Sequence, residues 1–230
     1  VNIGAEEEKG NGGFFKKKEK KDNLEVPRIG IRFHIPQDMN MVEYFGRGPE
    51  ENYIDRNAGS MVGRYKTIAD SMYVDYVRPQ ENGHRTDTRW VVLSDKSRRG
   101  LLVQADKTIG FNALKNTIED FDAEDSSRPY QWRNRSPEEI ENHDLDEAKN
   151  AMRKMTHVND IIPRDFVEVS VDMKQQGVAG YDSWGAKVQP GYTIPANQNY
   201  EWGFTFVPIR AKADVDRLRN LVVRVRIDTY

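Results

Sequence analysis

The chain has 230 residues, with 35 Lys and Arg against 37 Asp and Glu and a formal charge of -2. That balance excludes a global basic field that would draw in nucleic acid, so partners have to be sought in local patches. The absence of cysteine excludes a disulfide framework and a thiolate metal site, a state that suits the cytosol and equally a disulfide-free periplasmic protein.

No apolar run approaches the length of a membrane span, and the start VNIGAEEEKG has neither the basic end nor the apolar centre of a signal peptide. The chain is therefore expected to be soluble, cytoplasmic or periplasmic, without a membrane partner. A β domain of this size commonly forms one unit, so a single domain over 1–230 is expected.

Val1 to Gly4 reads as the tail of a strand. The following run, AEEEKGNGGFFKKKEKKDN, carries charge of both signs around Gly-Asn-Gly-Gly and reads as an exposed loop or hairpin tip. Lys16, Lys17 and Lys18 could hold a phosphate, but their acidic neighbours favour a solvated surface. A beginning inside a strand pattern suggests a C-terminal part of a longer natural chain.

From Val26 the pattern turns regular. Ile29, Ile31, Phe33 and Ile35 alternate with Arg28, Gly30, Arg32 and His34 between Pro27 and Pro36, which predicts a strand with one buried face and a solvated His34. A second strand is predicted over Met41–Phe45, ending in a turn at Gly46, Gly48 and Pro49. Beyond it, Glu50 and Glu51 invite a general-acid reading, but neighbours on an extended chain face opposite ways and make no catalytic pair. Asn52, Asp55 and Arg56 are residue types that bond loop backbone, and a structural role is expected of them.

Thr88–Leu93 returns to strand, with Trp90 and Val92 on one face. Just before it, Glu81, His84, Arg85 and Asp87 form the densest ionisable cluster. One histidine among scattered carboxylates is a poor metal set, so internal ion pairs are expected instead. A hairpin is predicted over Gly100–Ile109. Ser136-Pro137-Glu138-Glu139 is a helix start, and Leu145, Ala148, Met152 and Met155 recur at helical spacing, so one or two short helices interrupt the sheet.

Val167, Val169 and Val171 alternate on a strand that leads into the most informative stretch, GVAGYDSWG. Gly177, Ala179 and Gly180 let the backbone turn, and the turn presents Tyr181, Asp182, Ser183 and Trp184. A presented tryptophan offers a flat apolar face that suits the C–H face of a pyranose, and Asp182 and Ser183 offer polar atoms for hydroxyls. The competing reading is ordinary packing, the fate of most tryptophans. Trp202, Phe204 and Phe206 then alternate on a departing strand, and 214–230 reads as a helical turn followed by the strand LVVRVRI. Many short strands, frequent Gly and Pro turns and few helices indicate an all-β antiparallel sandwich. No phosphate-cradling, nucleophile-elbow or zinc-protease motif is present.

PRIGIRFHIP, VEYFGRGPEENYIDR, YVRPQENGHRTDTRW and GVAGYDSWG together resemble the C-terminal small-chain domain of glycoside hydrolase family two β-galactosidases, in the same order from about Pro27 to Ile209, with 210–230 as an extension. The resemblance implies an antiparallel β-supersandwich of galactose-mutarotase type. It implies no catalytic residue in this chain, because the two catalytic glutamates of the family lie on a separate barrel domain, so the chain alone is expected to be inactive. By motif position Trp184 is the residue that stacks on the sugar, chiefly on its aglycone side, with Asp182, Ser183 and Tyr181 beside it. Ala179 stands where glycine is usual and Tyr181 where an acid is usual.

The implied partners are a galactoside sugar and a catalytic barrel domain or large subunit. No cofactor or metal is expected in this chain, with Mg or Na possible in the full enzyme. The family has more strands before Pro27 than Val1–Val26 can supply, so unpaired edges should drive self-association into a homo-oligomer or be met by the Lys-rich segment. Two other classes remain open. One is a free-standing carbohydrate-binding module; the other is an aldose-1-epimerase-type enzyme, for which His84 with Glu81 is the one acid–base pair available.

Overall fold

The computed structural model describes residues 24–121, 157–182, 184–210 and 217. Seven strands run through them: β1 (Arg28–Pro36), β2 (Met41–Gly48), β3 (Met61–Ile68), β4 (Arg85–Ser94), β5 (Gly100–Leu114), β6 (Phe166–Gln175) and β7 (Phe204–Ile209). All pairings are antiparallel, in the order β1-β6-β5-β4-β2-β3, with β7 also on β5. Helical turns among residues 24–121, 157–182 and 184–210 are single 3-10 turns. The architecture is all-β, as the strand and turn pattern implies. The expected strand tail at Val1–Gly4, the Lys16–Lys18 cluster, the helices over 136–155 and, apart from the helical Arg217, the features of 214–230 lie outside the described residues.

Both faces of the central strands are covered. Val91 and Leu93 of β4 point into the larger apolar cluster with Val42, Tyr44, Val103, Phe111 and the β6 valines. Trp90 and Val92 join Leu102 and Ile209 in a smaller cluster on the opposite face. This is the alternation expected over Thr88–Leu93, and burying both sets stabilises the strand from two sides. β1 keeps its period of two, with Ile35 buried, Ile31 and Phe33 half-buried and Arg32 and His34 exposed. The departing strand begins at Phe204, and an aromatic ladder runs from Trp202 through Phe204 to Phe206 and on to Phe33 of β1.

Two expectations are corrected. Gly100–Ile109 is not a hairpin but part of one 15-residue strand, β5. Its polar middle, Asp106 to Thr108, is exposed because it crosses from the stretch paired with β7 to the stretch paired with β6. Gly46 and Gly48 are not turn residues but lie inside β2. A Cβ on Gly46 would stand 2.5 Å from Thr88 Oγ1, so glycine there serves close approach between strands. β3 has no clear alternation of apolar residues because it is an edge strand, exposed or half-buried throughout.

Candidate functional site

β6 delivers the chain to the loop that carries the tryptophan, and the base of this loop is anchored from two directions. The Gly177 N–H donates to the Tyr192 carbonyl at 2.9 Å. The Ala179 N–H donates to Asp55 Oδ2 at 2.8 Å, across 124 positions of sequence. Gly177 is required here: a Cβ would fall 2.4 Å from that same carboxylate oxygen. The expected structural role of Asp55 is thus specific, since it joins the loop after β2 to the tryptophan loop. Asn52, its neighbour, donates to the carbonyls of Arg47 and Glu50 and accepts from the Thr86 N–H and hydroxyl.

Beyond the base the chain reverses. Ala179 and Gly180 both have positive φ, 52° and 75°. Ala179 therefore takes the left-handed conformation with a Cβ in place, at a cost of roughly 1–2 kcal/mol. Asp182 Oδ1 accepts from the N–H groups of Trp184 at 2.8 Å and Ala186 at 3.1 Å, which closes the tip as a local turn. The turn leaves Trp184 93% exposed and Tyr181 64% exposed. The packing reading of Trp184 is not met in this chain. One oxygen of Asp182 is committed to the turn, Tyr181 donates to the Lys187 carbonyl at 3.4 Å, and Ser183 lies outside the described residues.

Behind the loop base is a cleft of about 670 Å³, bounded by Gly177–Gly180 on one side and by Arg28, Glu81, Tyr76 and Arg56 on the other. Under its floor lies a buried polar layer. Arg28 Nε stands 3.1 Å from Asp172 Oδ1, and the same guanidinium meets Gln175 at 2.7 Å and Glu81 at 3.4 Å. Asp172, on the non-valine face of β6, is fully buried, and His84 Nδ1 lies 3.8 Å from its other oxygen. Burial pushes the Asp172 carboxyl up to about 7 against the pull of Arg28, with Glu81 adding to the rise. Glu81 is also raised by burial, partly offset by Arg28. Burial holds His84 well below the usual imidazole range, and the cations Arg28 and Arg85 push the same way.

The ionisable cluster of Glu81, His84, Arg85 and Asp87 therefore does not pair internally. Glu81 goes to Arg28, Asp87 to Arg47, and Arg85 to Tyr44 and to the carbonyls of Pro49 and Gly83, while the neutral His84 lies 3.8 Å from Asp172 without a hydrogen bond to it. With His84 only 1% exposed, His84 and Glu81 do not face a common sugar, which removes the geometric basis of the epimerase reading. Glu51 is likewise structural: it accepts from the Gly83 N–H, from Arg56 and from the Tyr76 hydroxyl. Asp172 and Arg28 were not singled out by sequence. The available signal was a charged residue just after the alternating valines, on the second face of their strand, which requires a partner if that face is covered.

Fold and site together define an all-β protein that presents a tryptophan on a loop anchored at its base. The β-galactosidase small chain family model matches residues 7–206, and the chain belongs to that family. The match begins upstream of Pro27, so it takes in much of the charged N-terminal segment. The chain is 35% identical over 185 residues to a β-galactosidase of Priestia megaterium, covering 80% of this chain and 15% of that protein. It is 29% identical over 184 residues to one of Streptococcus thermophilus, again covering 80% and 15%. For one of Halalkalibacterium halodurans the figures are 30% over 181 residues, 78% and 15%. The chain thus spans about 15% of the length of these relatives. No helix among the described residues is long and apolar enough to cross a membrane.

Proposed function

We propose that this chain is the part of a β-galactosidase that lends an aromatic platform to a substrate pocket built mainly by another domain or subunit. The observation that carries the reading is Trp184, almost wholly exposed at the tip of a loop whose base is fixed. A rigid, amphipathic ring held in solvent loses little conformational entropy when a sugar stacks on it. The partner is the chain or domain carrying the catalytic glutamates, the ligand is a β-galactoside, and the small chain contributes positioning rather than bond cleavage. Tyr181, exposed one turn away, extends the aromatic surface. The edge strand β3, with Met61 and Val62 exposed, supports self-association or cover by the rest of the enzyme.

Hydrolysis of a chromogenic β-galactoside tests this directly, with the chain alone and mixed with a purified barrel-containing fragment. Activity only on mixing is the expected result, and activity of the chain alone overturns it. In the mixture, Trp184→Ala should weaken sugar binding by about 1–3 kcal/mol, read as a higher Michaelis constant. Unchanged Michaelis constants across several galactosides would remove Trp184 from the pocket. Measurable affinity of the isolated chain for galactosides, with no gain on mixing, would favour a free-standing binding module.

A further inference from the structure

We infer that Asp55 is the positioning residue of the tryptophan loop: its carboxylate holds the Ala179 N–H and, through it, the direction in which Trp184 is presented. The inference rests on the reading of Trp184 as a sugar platform for its functional meaning, although not for its geometry.

Three observations meet at Asp55. Its Oδ2 accepts from Ala179 at 2.8 Å. Among the described residues, no other hydrogen bond or ion pair ties residues 178–188 to the chain outside the loop; the remaining bonds of this stretch are the turn made by Asp182 and the contact of Tyr181 with Lys187. The second observation is steric. The Asp55 side chain packs on Gly177 so closely that a Cβ there would lie 2.4 Å from Oδ2, 2.6 Å from Cγ and 3.0 Å from the Asp55 Cβ. The third is the backbone of Ala179 itself, held at φ 52°. A non-glycine residue stays left-handed only where its surroundings hold it there, and at Ala179 the holding group is the carboxylate on its own N–H. A charge-assisted acceptor is suited to this task because it outcompetes water for the amide.

The other carboxylate oxygen, Oδ1, is buried and accepts no hydrogen bond among the described residues. The clamp therefore runs through Oδ2 alone, and a neutral amide in place of the acid could still offer one oxygen to Ala179. That makes the conservative variant informative. Asp55→Asn should retain much of the clamp, while Asp55→Ala loses both the acceptor and the packing on Gly177.

The experiment has two arms on the whole chain. In the first, amide hydrogen exchange at Ala179 is followed by heteronuclear NMR in the native chain, Asp55→Ala and Asp55→Asn, with the β6 amides as an internal check of folding. Exchange at Ala179 should rise roughly tenfold or more in Asp55→Ala, and by less in Asp55→Asn, with β6 unchanged. Equal exchange at Ala179 in all three proteins overturns the inference. Should Asp55→Ala fail to fold, Asp55→Leu, which keeps the bulk but offers no acceptor, decides: faster exchange at Ala179 with β6 protected supports the clamp, and no change overturns it.

In the second arm, each variant is mixed with the barrel-containing fragment. Asp55→Ala should raise the Michaelis constant with little effect on kcat, Asp55→Asn should restore most of the loss, and Asp55→Ala should add nothing to Trp184→Ala. Additive effects of Asp55→Ala and Trp184→Ala overturn the functional side of the inference. If Trp184→Ala is itself silent, the sugar-platform reading fails, while the clamp stands or falls on the first arm.

Discussion

The base and the tip of the tryptophan loop are built on opposite principles. At the base, Gly177 and Ala179 are held by groups distant in sequence, Asp55 and Tyr192, and there is no room for even one extra carbon at Gly177. At the tip, Gly180 and Gly185 have open space where a Cβ would stand, and the turn is closed by Asp182, which accepts from the N–H groups of Trp184 and Ala186 two and four residues further on. Tertiary packing sets where the loop stands, and local chemistry sets how Trp184 is shown. Such a division leaves the tip free of the packing that constrains the base.

The largest effect should come from the layer that supports the base. Arg28→Ala leaves Glu81 and the fully buried Asp172 without their cation, and should cost about 3–5 kcal/mol in chemical denaturation at neutral pH. The loss should shrink at pH 5, where Asp172 is protonated. A loss that does not depend on pH would mean that packing of the Arg28 stem, rather than charge, supports the base.

The pH dependence of Asp172 has a definite sign. Its pKa is raised from the ordinary 3.8 to about 7 on folding, so the folded state favours the protonated acid. Stability from this group is complete below about 4 and falls as pH rises towards 7. His84, buried and neutral, acts the other way: stability is lost as pH falls below the ordinary imidazole value of 6.5. Between these limits the two slopes oppose, and the native chain should show a nearly flat profile there. Asp172→Asn removes only the acid, so its stability relative to the native chain should rise by a few kcal/mol between pH 4 and pH 7. Parallel profiles for the two proteins would refute the raised pKa.

Gly177→Ala should cost about 1–3 kcal/mol, since the new Cβ drives into the Asp55 carboxylate, and thermal unfolding would register it. Trp184→Ala, at the exposed tip, should change stability by no more than about 0.5 kcal/mol while affecting function. Comparable losses for the two would erase the distinction between base and tip. Of opposite sign, Ala179→Gly should stabilise the chain by ~0.3 kcal/mol through relief of the left-handed strain, less the entropy that glycine adds to the unfolded chain.

What could be read from the sequence alone was whatever repeats within a few residues. The period of two in Ile29–Ile35, in Trp90 and Val92, and in Val167–Val171 is a property of adjacent side chains on a strand, and those strands form. The presentation of Trp184 was legible for the same reason, because glycines and an aspartate two residues away suffice to make the turn. The family was legible from four motifs in order. Only the tertiary structure decided that β5 is one strand whose exposed centre marks a change of partner, and that β3 lies at an edge. It alone joined Asp55 to Ala179 and buried Asp172 between Arg28 and His84. Pairings of this kind depend on which faces the sheet covers, and a polar residue carries no local mark of the partner that folding brings to it.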